Sequence, residues 1–117
     1  MKTIGKIGVG LLFACGMSVA AIAQEGKPPR FDVESHCKKV ASFGGEYSAS
    51  LFRGCMDMEQ DAYNKLKGAW GGLPATMRRH CEKVARFGGG GSYSILSGCV
   101  DMELDASNQN ANEKFEY

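Results

Sequence analysis

Four stretches of the chain carry apolar residues at helical spacing. Val33, Cys37, Val40 and Ala41 follow Asp32, which stands where an N-cap belongs. Met77, Cys81, Val84 and Ala85 repeat that stripe behind Thr76, which occupies the same cap position. Phe43-Gly44-Gly45 and Phe87-Gly88-Gly89 end these short helices, because glycine past the last turn accepts the left-handed conformation a C-cap needs. Beyond the glycines, Ser48 or Ser50 and Ser92 or Ser94 can cap two longer helices. The inward face of the first is Leu51, Phe52, Cys55, Met58, Ala62 and Leu66; that of the second is Ile95, Leu96, Cys99, Met102 and Ala106. The pattern predicts two helical hairpins, each with one short arm and one long arm.

The hairpins are copies of one design. Shifted by 44 residues, positions 32–66 lie over 76–110 without a gap, and 18 of the 35 positions are identical. Residues 67–75 form a Gly/Trp linker between them. Residues 24–31, with Pro28-Pro29, read as an extended lead-in, and 111–117 lose the stripe and read as a frayed tail. Two such hairpins most economically bury their open faces on each other. The expectation is an all-α fold of two tandem antiparallel hairpins in a small four-helix assembly. Stacking between two chains is the alternative, and two copies are fewer than a solenoid usually needs.

The cysteines fit this geometry. Cys37 lies six residues before Phe43, and Cys55 lies five after Ser50. At ~1.5 Å per residue both sit ~8–9 Å from the turn, level with each other on antiparallel arms. A disulfide needs that, with its Cα atoms ~5.5 Å apart. Four cysteines allow three pairings, and Cys37–Cys55 with Cys81–Cys99 satisfies the geometry in both hairpins. Each bridge closes a loop of about 19 residues, worth ~3 kcal/mol in the chain-entropy model. A domain this small is marginal without such a staple.

The fifth cysteine, Cys15, belongs to a different kind of segment. Lys2 and Lys6, an apolar run over 7–20 and Ala21-Ile22-Ala23 make residues 1–23 a signal peptide cut after Ala23. The run is too short for a membrane span of ~20 residues. Leu12-Phe13-Ala14-Cys15 loosely matches a lipobox, so a lipoprotein anchored at Cys15 is the alternative, but Phe13 is bulky for it. The expected location is therefore periplasmic or secreted, with no transmembrane segment in the mature chain. Cleavage also takes the formal charge from +1 to slightly negative. A near-neutral chain without a basic cluster excludes a nucleic-acid partner.

Candidate chemistry is sparse, and each feature has a structural reading beside it. His36-Cys37 and His80-Cys81 suggest metal ligands, but helix neighbours diverge by ~100° and disulfides consume the thiols. The histidines then read as partly exposed, bonded to a carboxylate on the facing arm. Asp57, Glu59 and Asp61 resemble a calcium series, yet they fall within a helix and Ala62 stands where the loop needs glycine. Glu59 and Glu103 lie level with the starts of the short helices and are expected to cap them across the hairpin. Met56, Met58, Met77 and Met102 suggest copper or haem ligation, although three of them fall on apolar stripes, where methionine fills cores. Trp70 either plugs the gap between hairpins or anchors a partner. There is no nucleophile elbow, phosphate loop or H-E-x-x-H.

The run His-Cys-x-Lys-Val-Ala-x-Phe-Gly-Gly, then Ser-x-Ser, then Gly-Cys-x-Asp-Met-Glu-x-Asp-Ala resembles small exported proteobacterial proteins. Those carry a cysteine, a Gly-Gly-Ser-Tyr turn, a second cysteine and a Glu-x-x-Ala stretch. The resemblance implies export and a disulfide-tied hairpin and transfers no activity. The resulting expectation is a non-enzymatic protein with no cofactor, binding another envelope protein or component. A periplasmic copper or haem carrier using His36, His80 and the methionines is the alternative. A hydrolase using Asp57 with Glu59 or Asp61 is a third reading, disfavoured because small hairpins hardly form a cleft.

Overall fold

The computed structural model describes residues 26–117, together with Gly5 and Gly10. Apart from those two glycines, the segment 1–23 expected to be a signal peptide, with Cys15, lies outside the described residues. Four α-helices follow in order: α1 Val33–Ala41, α2 Ala49–Ala69, α3 Ala75–Arg86 and α4 Tyr93–Asn110. The architecture is all-helical, as expected from the apolar spacing. Disulfides Cys37–Cys55 and Cys81–Cys99 tie α1 to α2 and α3 to α4, with Cα atoms 5.5 Å apart in each.

The helix starts follow local chemistry. Asp32 caps α1 by accepting from the Ser35 N–H at 3.0 Å, as its position predicts. Ser48 and Ser92 cap the long arms, accepting from the Leu51 and Ile95 N–H groups at 3.3 Å. Thr76 is not a cap. Helix α3 begins at Ala75 behind Pro74, whose ring already holds a helix-compatible φ of −55° and whose carbonyl accepts from the Arg78 N–H. The linker is also more ordered than a glycine-rich stretch suggests. Helix α2 continues to Ala69, and Trp70–Gly72 form a 3₁₀ turn that leads straight into α3. At the hairpin turns the left-handed conformation falls on Gly45, Gly88 and Gly91.

The two hairpins join through their long arms. Glu59 on α2 reaches the first residues of α4, and Lys65 on α2 meets Asp101 on α4 at 2.6 Å. Both contacts advance in the same direction along the two helices, so α2 and α4 run parallel. The start of α4 lies level with Glu59, some eight to ten residues into α2, a stagger of about 12–15 Å. The first hairpin therefore projects past the second.

The core is unevenly shared. Leu66, Trp70 and Leu73 close over Met77, Cys81 and Ala85 of α3 and Tyr93, Leu96 and Val100 of α4. Phe31 from the lead-in completes this cluster. Away from that shared cluster and Glu59, the buried positions of the first hairpin are Cys37 and Ala41, where α1 packs on α2. Leu51 and Met58, expected to face inward on α2, are exposed, as are Ile95 and Met102 on α4. Each hairpin is only two helices thick, so a stripe this wide cannot be covered on both flanks.

Candidate binding surfaces around the hairpin junction

Glu59 is the most buried charged residue described, 2% exposed, and its position overturns the expected capping role. Its carboxylate accepts from the Ser92 hydroxyl at 2.7 Å, the Tyr93 N–H at 2.6 Å and the Ser94 N–H at 3.3 Å. It therefore caps the long arm of the other hairpin, not the short arm of its own. Helix α1 needs no such help, because Asp32 caps it. With Ser92 holding the Ile95 N–H, the first three donors of α4 are all satisfied. Burial alone pushes the Glu59 pKa up. The Ser92 hydroxyl and the Tyr93 and Ser94 N–H groups outweigh that and hold it below the ordinary carboxylate value.

Glu103, at the matching position of the second hairpin, does not cap α3 either. The start of α3 has no side-chain cap, and the half-exposed Glu103 lies 3.5 Å from His80 Nε2. That contact matches the expectation that a histidine bonds a carboxylate on the facing arm. The difference between the glutamates comes from what each long arm meets. Glu59 faces the start of α4, whereas Glu103 faces His80 on α3 of its own hairpin.

The lead-in is a strap as well as an extended segment. The Tyr93 hydroxyl donates to the Pro29 carbonyl at 2.7 Å and accepts from the Phe31 N–H at 3.0 Å. The Phe31 ring lies 4.7 Å from the Tyr93 ring, and the Arg86 guanidinium stacks 4.8 Å from its centroid. Tyr93 also meets Tyr63 edge-on at 4.9 Å, which links strap, α2 and α4 through three rings. Nothing in the helical periodicity points to this cluster. The available signal was local: Tyr93 replaces Ala49 of the first copy, and Phe31 precedes only that copy.

A groove of about 820 Å³ runs beside the strap. Phe31, Tyr63, Trp70 and Tyr93 lie along its aromatic side, and Lys27, Arg30, Gln60 and Glu82 give it polar groups of both signs. Trp70 itself is buried in the core, which makes it the plug between hairpins and removes it as an exposed partner anchor. Asp57 is exposed on another face of α2, 4.0 Å from Arg53. Glu59 has its oxygens committed to α4, so it is not paired with Asp57 as an acid pair for hydrolysis.

The suggested metal ligands are also dispersed. Among the described residues, no three His, Cys, Asp or Glu side chains gather around one point. Met77 is in the core, Met56 lies at the groove, and Met58 and Met102 are exposed. No helix among the described residues is long and apolar enough to cross a membrane. No protein-family model matches the chain, and neither does any curated protein or solved structure.

Proposed function

We propose that the chain is an exported, disulfide-stabilised protein of the periplasm or the extracellular space, made of two repeated hairpins and binding another envelope component without catalysis. Disulfides are the staple of small domains in oxidising compartments, which supports export. The likeness to small exported proteobacterial proteins supports the same location.

One observation carries the binding role. The apolar stripe of α2 continues beyond the start of α4: Tyr63 and Leu66 pack into the shared core, while Phe52 and Met56 are only half-buried and Leu51 is exposed. Tyr47 adds its ring 6.2 Å from that of Phe52. An apolar stripe that outruns its cover is a surface suited to a partner.

The test has two parts. An intact non-reducing mass of the exported protein should show a chain starting at Gln24 and lacking the four thiol hydrogens of two disulfides. A photo-crosslinking side chain at Leu51 should then give adducts in the cell envelope that the same group at exposed Asp105 does not. Free thiols, or equal crosslinking from both positions, would count against the reading.

A further inference from the structure

Six of the exposed apolar residues form a repeated set. Val40 and Val84, Phe43 and Phe87, and Leu51 and Ile95 are three pairs related by the 44-residue shift, and all six are exposed around the hairpin turns. Phe43 and Phe87 are the extreme case, 92% and 91% exposed. Rings exposed to that extent bury almost none of their surface against their own turns. An exposed phenylalanine is costly in water, and here the same cost recurs at the same place in both hairpins.

Basic residues predominate around these tips. Lys38 and Lys39 occupy the last turn of α1, and Lys83 and Arg86 that of α3. Lys38 and Arg86 pair with Glu34 and Glu82 on their own helices, while Lys39 and Lys83 are exposed, each four residues before a tip phenylalanine. Glu46 is the one acidic residue in either turn.

Because α2 and α4 are parallel, both tips point the same way. Packed helix axes are ~8–10 Å apart, so with the stagger the line joining the tips makes an angle of roughly 30° with the axes. A flat surface touches both tips when the long arms approach it at that shallow angle. Two copies of one small, convex, apolar-and-basic tip suit a partner that offers the same chemistry at two displaced points. A fluid anionic surface does so everywhere, with apolar chains below a negative headgroup layer.

We propose that the two hairpin tips dock the protein on an anionic lipid bilayer, with Phe43 and Phe87 entering the interface and Lys39 and Lys83 facing the headgroups. This names the partner of the exported binding protein proposed above and rests on that reading.

The test is co-sedimentation of the oxidised exported protein with vesicles of mixed phosphatidylglycerol and phosphatidylcholine, against vesicles of phosphatidylcholine alone. Binding should favour the anionic vesicles and weaken as salt rises. Phe43→Ser and Phe87→Ser should each weaken it roughly tenfold or more, and the double variant further. A Met58→Ser/Met102→Ser control removes exposed apolar residues away from the tips and should bind normally, with Trp70 fluorescence reporting that each variant is folded. Absence of vesicle binding, or equal binding by the phenylalanine double variant, overturns the proposal. If the vesicles fail while crosslinking from Leu51 still captures an envelope protein, the membrane assignment falls and the binding role stands. Free thiols in the exported protein would instead remove the binding role.

Discussion

Glu59 and Ser92 sit in different hairpins, and the 2.7 Å hydrogen bond between them holds a buried carboxylate against the first turn of α4. A hydrogen bond to a charged group contributes ~1.5–3 kcal/mol, and burial makes its loss harder to offset with water. Glu59→Gln should therefore destabilise the protein by about 2 kcal/mol. Glu103→Gln, at the half-exposed equivalent, should cost less than about 0.5 kcal/mol. Urea unfolding followed by the fluorescence of Trp70, the only tryptophan and buried at the junction, measures both.

The same carboxylate sets an acid limit. Its folded pKa lies below the ordinary value of 4.5, so on acidification the unfolded chain takes up the proton first. The stability it contributes is complete above the ordinary carboxylate range. It is lost as the pH falls through about 4.5 towards the lower folded value. The gap in stability between the wild type and Glu59→Gln should thus be constant near neutrality and close on acidification. A gap that widened in acid would contradict the assigned direction.

Gly91 is held by two constraints at once. Its φ is +99°, and a Cβ there would overlap the Phe31 ring. Gly91→Ala should cost more than about 2 kcal/mol, because both the backbone and the strap must give way. Gly45→Ala has the same backbone strain with open space around it and should cost about 1 kcal/mol. Gly89→Ala meets neither constraint and should be neutral or slightly stabilising, by up to about 1 kcal/mol. Thermal melts of the three variants should rank in that order.

The disulfides are alike in geometry and unlike in surroundings. Loop closure is worth ~3 kcal/mol for each. Cys81 also belongs to the shared core and Cys99 packs against it, whereas Cys37 lies only beneath α1 and α2. Replacing Cys81 and Cys99 by serine should unfold the whole protein at markedly lower urea. Replacing Cys37 and Cys55 should loosen α1 first and leave Trp70 buried, as local unfolding of the less supported hairpin. Hydrogen exchange resolves the two cases.

The helices and the bridges were legible because they depend on short-range spacing. Asp32, Ser48 and Ser92 cap within their own turns, and Cys37 and Cys55 are brought level by the hairpin alone. The fate of Glu59 was not legible from its neighbours. The run Asp-Met-Glu-x-Asp-Ala surrounds both Glu59 and Glu103, so nothing local distinguishes a buried carboxylate from an exposed one. The difference lies further along each helix and in the next hairpin. Met58 and Met102 misled for a related reason: an apolar residue at helical spacing states which side it lies on, and only tertiary packing decides whether that side is covered.

Parallel long arms have a consequence for growth. Each hairpin joins the next by the same step rather than by facing it across a two-fold axis, and a step of that kind has no built-in end. Tyr63, Leu66 and Trp70 on the leading hairpin bury themselves in the next one. Forty-four residues on, the corresponding positions are Ser107, Asn110 and Lys114. The face by which the first hairpin seats on the second is thus replaced by polar residues on the second, so the same contacts cannot repeat the step there.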